Sequence, residues 1–129
     1  MRRRRLLTAT GSAALLPGLA LLPARASAQG ASAGLNDTTL VLGQSAPFSG
    51  AAEQLGLQFH LGAQLFFEQL NAKGGVHGRR IAVIRLDDGY EPDRCVANTR
   101  QFIGEGVFAL FGYIGTPTSV VALPLATEA

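Results

Sequence analysis

"TLVLGQSAPFSG", residues Thr39–Gly50, sets a short apolar run directly against a loop. Thr39 to Gly43 carries no polar alternation, the pattern of a strand buried on both faces. Gln44 to Gly50 then breaks the run with Ser, Pro and Gly, a turn by composition. From about residue 52 to 73 the period changes. Leu55, Phe59, Ala63, Phe66, Phe67 and Leu70 recur at steps of three and four, which predicts a long helix with one apolar stripe. Gly56 and Gly62 lie inside it, each costing about 1 kcal/mol against alanine, so each predicts a close packing contact. Gly74-Gly75 after Lys73 supplies the left-handed stop. A strand apolar on both faces, followed by an amphipathic helix, opens a parallel sheet.

The pattern repeats downstream. Arg80–Leu86 reads as a second strand ending in Asp87-Asp88-Gly89, and a second helix follows from Pro92 with Cys95, Val96, Thr99, Phe102 and Ile103 on one side. Proline suits a first helical position because its missing N–H has no partner there. Gly104-Glu105-Gly106 turns the chain into a third strand, Val107–Phe111, and Thr116–Glu128 forms a third helix. The expected fold class is α/β, an open parallel sheet with helices on both faces in the order β-α-β-α-β-α, joined by right-handed crossovers.

The first 38 residues stand apart from this alternation. Arg2–Arg5, the apolar stretch Leu6–Leu22 and Ala26-Ser27-Ala28 follow the plan of a secretory leader cleaved after Ala28. Gly11, Pro17 and Gly18 interrupt the apolar stretch, which suits a cleaved leader better than a spanning helix of about 20 apolar residues. Arg3-Arg4-Arg5-Leu6-Leu7 also fits the twin-arginine export pattern, although Arg2 stands where a polar residue usually precedes the pair; the general secretory route stays equally open. Gln29, not cysteine, stands directly after Ala28, so a lipid anchor is not expected there. The organisation is therefore a leader over 1–28, a flexible Ala/Ser/Gly lead-in over 29–38, and an α/β unit over 39–129, with a periplasmic destination. The leader holds five of the 11 basic residues and none of the nine acidic ones, leaving the remainder at a net −3. The basic character of the whole chain belongs to the leader and gives no indication of nucleic-acid binding.

Gly112 to Gly115 ends the third strand, and Thr116-Pro117 starts the helix behind it. Thr116 is expected to cap that helix, with the amides of Thr118 and Ser119 left free. Those donors, the hydroxyls and the helix dipole favour an anion such as a carboxylate. In open parallel sheets, ligands sit outside the carboxyl ends of strands, where this turn lies. Tyr90 and Tyr113, also at strand ends, are candidates to line the same cleft. Other constellations fall away. Asp87-Asp88 lacks the third acidic residue of a metal pocket, since Gly112-Tyr113 stands at the matching strand end. Gly43–Gly50 lacks the Lys-Ser/Thr of a phosphate loop. His60 and His77 match no zinc spacing, Cys95 has no disulfide partner, and no G-x-S-x-G elbow marks a hydrolase. No metal, cofactor or catalytic role is expected.

"LVLGQSAPFSG" (40–50), "NAKGGVHGRRI" (71–81), "LDDGYEPDRCVANT" (86–99) and "FALFGYIGTPTS" (108–119) together resemble the amino-terminal part of periplasmic substrate-binding proteins of the branched-chain amino-acid type. The resemblance implies the type I periplasmic-binding fold, with two lobes closing on a small ligand, and a membrane permease of an ABC importer as partner. It implies that Thr116 holds the ligand carboxylate. It places Leu55 on the cleft wall where the family often has an aromatic residue, a departure from the pattern. The chain stops before the next strand of such a lobe, so it is expected to be an amino-terminal portion, incomplete without the rest. A ligand-sensing ectodomain of the same fold is the alternative.

Overall fold

The computed structural model of the chain describes residues 34–129; the leader and the first half of the lead-in fall outside the described residues. The elements are β1 (Thr39–Ala46), α1 (Glu53–Ala72), β2 (Arg80–Asp87), α2 (Pro92–Glu105), β3 (Ala109–Leu110) and α3 (Thr116–Glu128). Both pairings are parallel, in the order β2-β1-β3, with Thr39 opposite Arg80 and Leu42 opposite Ala109. This is the expected alternation and sheet. β3 is shorter than the apolar run Val107–Phe111, because only its middle pairs regularly; Phe108 and Phe111 still donate backbone bonds to Val41 and Gly43 at 2.8 Å.

The two faces of β1 show how the layers divide. Gly43 turns toward α2, where a methyl in its place would lie 2.7 Å from the Phe102 ring. Ser45, on the same side, bonds Asp88 and Asn98. Gln44 points the other way and bonds His60 of α1 at 2.7 Å. α1 therefore covers one face and α2 the other. α3 joins the α2 layer: the Cys95 thiol donates to the Thr118 carbonyl at 3.5 Å, and the Thr99 and Tyr113 hydroxyls bond each other at 3.0 Å. The enclosed apolar core is small: Leu42, Ala46, Cys95, Phe102 and Ala122.

Three expectations change. The stripe of α1 does not face the sheet as a whole; Leu55, Phe59 and Phe66 are exposed, and Gly56 and His60 lie closer to the sheet. The helix is 20 residues long, whereas the sheet beneath it is three strands wide and ends in the two-residue β3, so among the described residues its outer flank is covered only in part, by Phe111. Gly56 has the close contact its position predicts, against the Pro47 carbonyl, but Gly62 faces open space. Residues 34–38 are tied down: Gly34 is buried, exchanges backbone bonds with Gly106 and Val41, and Asn36 accepts from the amides of Thr38 and Thr39.

Candidate functional site at the carboxyl edge of the sheet

Because α1 leaves β1 toward one face and α3 leaves β3 toward the other, adjacent strands send their loops apart. This is the switch point at which open α/β sheets hold ligands. Its rim consists of Pro47–Gly50 after β1, Asp88–Glu91 after β2 and Phe111–Gly115 after β3.

Asp87 organises the first of these loops. Its carboxylate accepts from the Ser49 hydroxyl at 2.6 Å, from the amides of Phe48 and Gly89 at 2.8 and 2.9 Å, and from Arg94 at 2.9 Å. Burial alone would raise its pKa, but these donors outweigh burial and hold it at about 2. The folded value lies below the ordinary 3.8, so the contribution of this cluster is fully present above pH 3.8 and is lost as pH falls through about 2. An NMR titration is expected to show the Phe48 and Gly89 amides shifting together across that window, and Asp87→Asn to remove the step; a midpoint near 3.8 would show that the donors leave the carboxyl unperturbed.

Asp88 is fully enclosed. It accepts from the Ser45 hydroxyl at 2.8 Å and from the Tyr90 amide at 2.9 Å, while its own amide donates to Ala46. This acidic pair bonds loop groups and leads into α2. Glu91 closes the turn by donating to the Asp88 carbonyl, and Gly89 and Tyr90 take φ of 58° and 71° inside it. A left-handed conformation at a non-glycine residue costs on the order of 1–3 kcal/mol and persists only where its surroundings demand it. The surroundings here include α3: a methyl added at Gly115 would lie 2.6 Å from the Tyr90 ring.

The start of α3 differs from the expected cap. Gly115, with φ 104°, is the N-cap residue, so Thr116 is already helical and makes no capping bond. Thr118 is fully enclosed, and its hydroxyl donates back to the carbonyls of Ile114 and Gly115 at 2.7 and 2.9 Å. The Ser119 amide is not free, since it donates to Gly115 at 2.9 Å. Thr116 is exposed, and no intramolecular bond within the described residues engages its hydroxyl. Tyr113 sends its hydroxyl to Thr99, inside the α2–α3 layer; burial pushes its pKa up to about 12 against the pull of that bond, and the phenol stays neutral. Leu55 stands exposed in the first turn of α1. Of the six candidates, then, Thr116, Leu55 and Tyr90 are exposed at this end of the sheet, while the Thr118 and Tyr113 hydroxyls and the Ser119 amide are engaged within the fold.

His60 packs toward the sheet: Gln44 links it to the Gly112 carbonyl, and burial together with Arg85 lowers its pKa. Burial raises the Cys95 thiol, which stays protonated. Among the described residues no group of three or more His, Cys, Asp or Glu is placed to hold a metal ion. Three grooves of about 390, 490 and 500 Å³ lie along the flanks of the sheet, and none is lined by Thr116.

The chain is similar to a Leu/Ile/Val-binding protein homologue of Brucella abortus, with 28% identity over 87 residues, 67% of this chain and 24% of that one. Its fold matches the branched-chain amino-acid transporter substrate-binding protein of Streptococcus pneumoniae, solved with isoleucine, at a TM-score of 0.67 and 27% identity, covering 70% of this chain and 26% of that one. It also matches a fatty acid ABC transporter substrate-binding protein of Thermomonospora curvata at a TM-score of 0.68 and 29% identity, covering 71% and 23%. The chain thus spans about a quarter of the length of the proteins it matches. The profile of the periplasmic binding proteins matches residues 39–129, the whole of the α/β unit, and the chain belongs to that family.

Proposed function

We propose that the chain forms the opening of the first lobe of an extracytoplasmic solute receptor, which binds a small carboxylate and presents it to the membrane permease of an ABC importer. On this reading residues 1–28 are the export leader, removed after Ala28 in the periplasm. The observation that carries the proposal is Thr116, an uncommitted hydroxyl on the first turn of a helix at the switch point, where the helix dipole favours negative charge. Leu55 supplies an apolar wall across the rim; Tyr113 contributes through its position rather than its hydroxyl. Two solved neighbours are named for isoleucine and for a fatty acid, ligands whose common feature is the carboxyl group.

A hydrogen bond to a charged group is worth about 1.5–3 kcal/mol, so Thr116→Ala is expected to weaken carboxylate binding by about 10- to 100-fold. Calorimetry with isoleucine, octanoate and the corresponding amides checks this. Acids and amides binding alike, or a Thr116→Ala variant that binds as the parent does, would overturn the reading.

A further inference from the structure

We propose that Tyr90 is a positioning residue for the first turn of α3, tying the end of β1 to the place where Thr116 stands. The proposal rests on the reading of Thr116 as the carboxylate donor and deepens it. Two non-glycine residues among those described have positive φ, His77 and Tyr90. Each follows or precedes a glycine in a tight turn of the kind whose two central residues both need positive φ. His77 is exposed at the tip of a hairpin, and its side chain has no further role there. Tyr90 is different. The turn itself would be better served by glycine at this position, so the reason for tyrosine lies in its ring.

The ring lies on Gly115, the N-cap residue of α3. A methyl at Gly115 would lie 2.6 Å from the ring and 3.0 Å from the Thr118 hydroxyl, and φ 104° already restricts the position to glycine. The other end of the link is equally fixed. The Tyr90 amide donates to Asp88, which is fully enclosed and held by Ser45 and the Ala46 carbonyl at the end of β1. A continuous path therefore runs from β1 through Asp88 and Tyr90 to Gly115, the residue directly before Thr116. Lacking a side chain, Gly115 admits the ring; lacking a cap bond, α3 draws its register from that contact and from Thr118 beneath it.

Tyr90→Gly separates the ring from the turn, because positive φ is ordinary for glycine and the turn keeps its shape. Tyr90→Phe keeps the ring. In the full chain, the α-protons of Gly115 are expected to be shifted upfield by the ring in the parent and in Tyr90→Phe, and to lose that shift in Tyr90→Gly, with the Thr116 and Ser119 amide resonances moving at the same time. Thr116 and Ser119 resonances unchanged by Tyr90→Gly would overturn the proposal whether or not any ligand binds. Isoleucine then serves as the probe of consequence. Its affinity is expected to fall by about tenfold in Tyr90→Gly and to stay within about twofold in Tyr90→Phe, the loss matching a misaligned bond to a charged group. Unchanged affinity in Tyr90→Gly beside a loss in Thr116→Ala overturns positioning alone. Binding of isoleucine that Thr116→Ala leaves intact overturns the carboxylate reading, and the resonances still decide the link.

Discussion

Phe102→Ala is expected to destabilise the α/β unit by about 3–5 kcal/mol while leaving a measurable unfolding transition. Phe102 is fully enclosed and is the largest side chain in a core that otherwise consists of Leu42, Ala46, Cys95 and Ala122. Removing a buried phenyl ring costs about 3–5 kcal/mol, and a domain of this size holds only about 5–15 kcal/mol in all. The ring lies close against the backbone of β1 at Gly43, which has no side chain of its own to move into the space. The same contact makes Gly43→Ala destabilising for the opposite reason: its methyl would lie 2.7 Å from the ring, and overpacking costs about 1–3 kcal/mol. Together the two changes should partly cancel, since the added methyl occupies volume the ring has left. Denaturant unfolding of both single variants and the double variant measures this coupling. A double variant whose loss equals the sum of the single losses, within about 0.5 kcal/mol, would show that Phe102 and Gly43 do not share one space.

Residues 34–129 prepared alone are expected to self-associate through the flank that carries Phe59, Phe66 and Phe111. Phe66 is 62% exposed and Phe59 45%, and with Phe67 and Phe111 they line an apolar groove of about 500 Å³. The short β3 beside it leaves one edge of the sheet unpaired among the described residues. On the other side of that edge, Val107–Leu110 borders a second groove of about 490 Å³ reaching Ala126. An apolar surface next to an unpaired strand is a template for another chain. Sedimentation over a dilution series is expected to show species of at least dimer mass, and a Phe59→Glu, Phe66→Glu pair to restore the monomer. A parent that sediments as a monomer at every concentration would show that the flank is not adhesive.

The alternation of strands and helices was legible because it is written in local periods: an apolar run without alternation at Thr39–Gly43, a stripe at steps of three and four after Ala52, and glycines or prolines at nearly every boundary. From those periods the parallel sheet, the helices on both faces and the loops at the carboxyl edge of the strands all follow, since each depends on neighbours along the chain. The site is different. Thr116 looked like a cap and Gly115 holds that place; the Thr118 side chain is enclosed, and the Tyr113 hydroxyl turns inward to Thr99. Tyr90 gave one signal in the sequence, an aromatic residue after Gly89 at a strand end, with nothing to indicate that Gly115 would lie beneath its ring. Sequence alone determined which segments extend or coil, to within a few residues at their ends, and in what order they follow along the chain; the sheet order β2-β1-β3 came from the structure. Only the tertiary structure decided which side chains meet, because burial and bonding depend on what stands opposite a residue, and Thr99 lies 14 positions from Tyr113 and Gly115 lies 25 from Tyr90 along the chain.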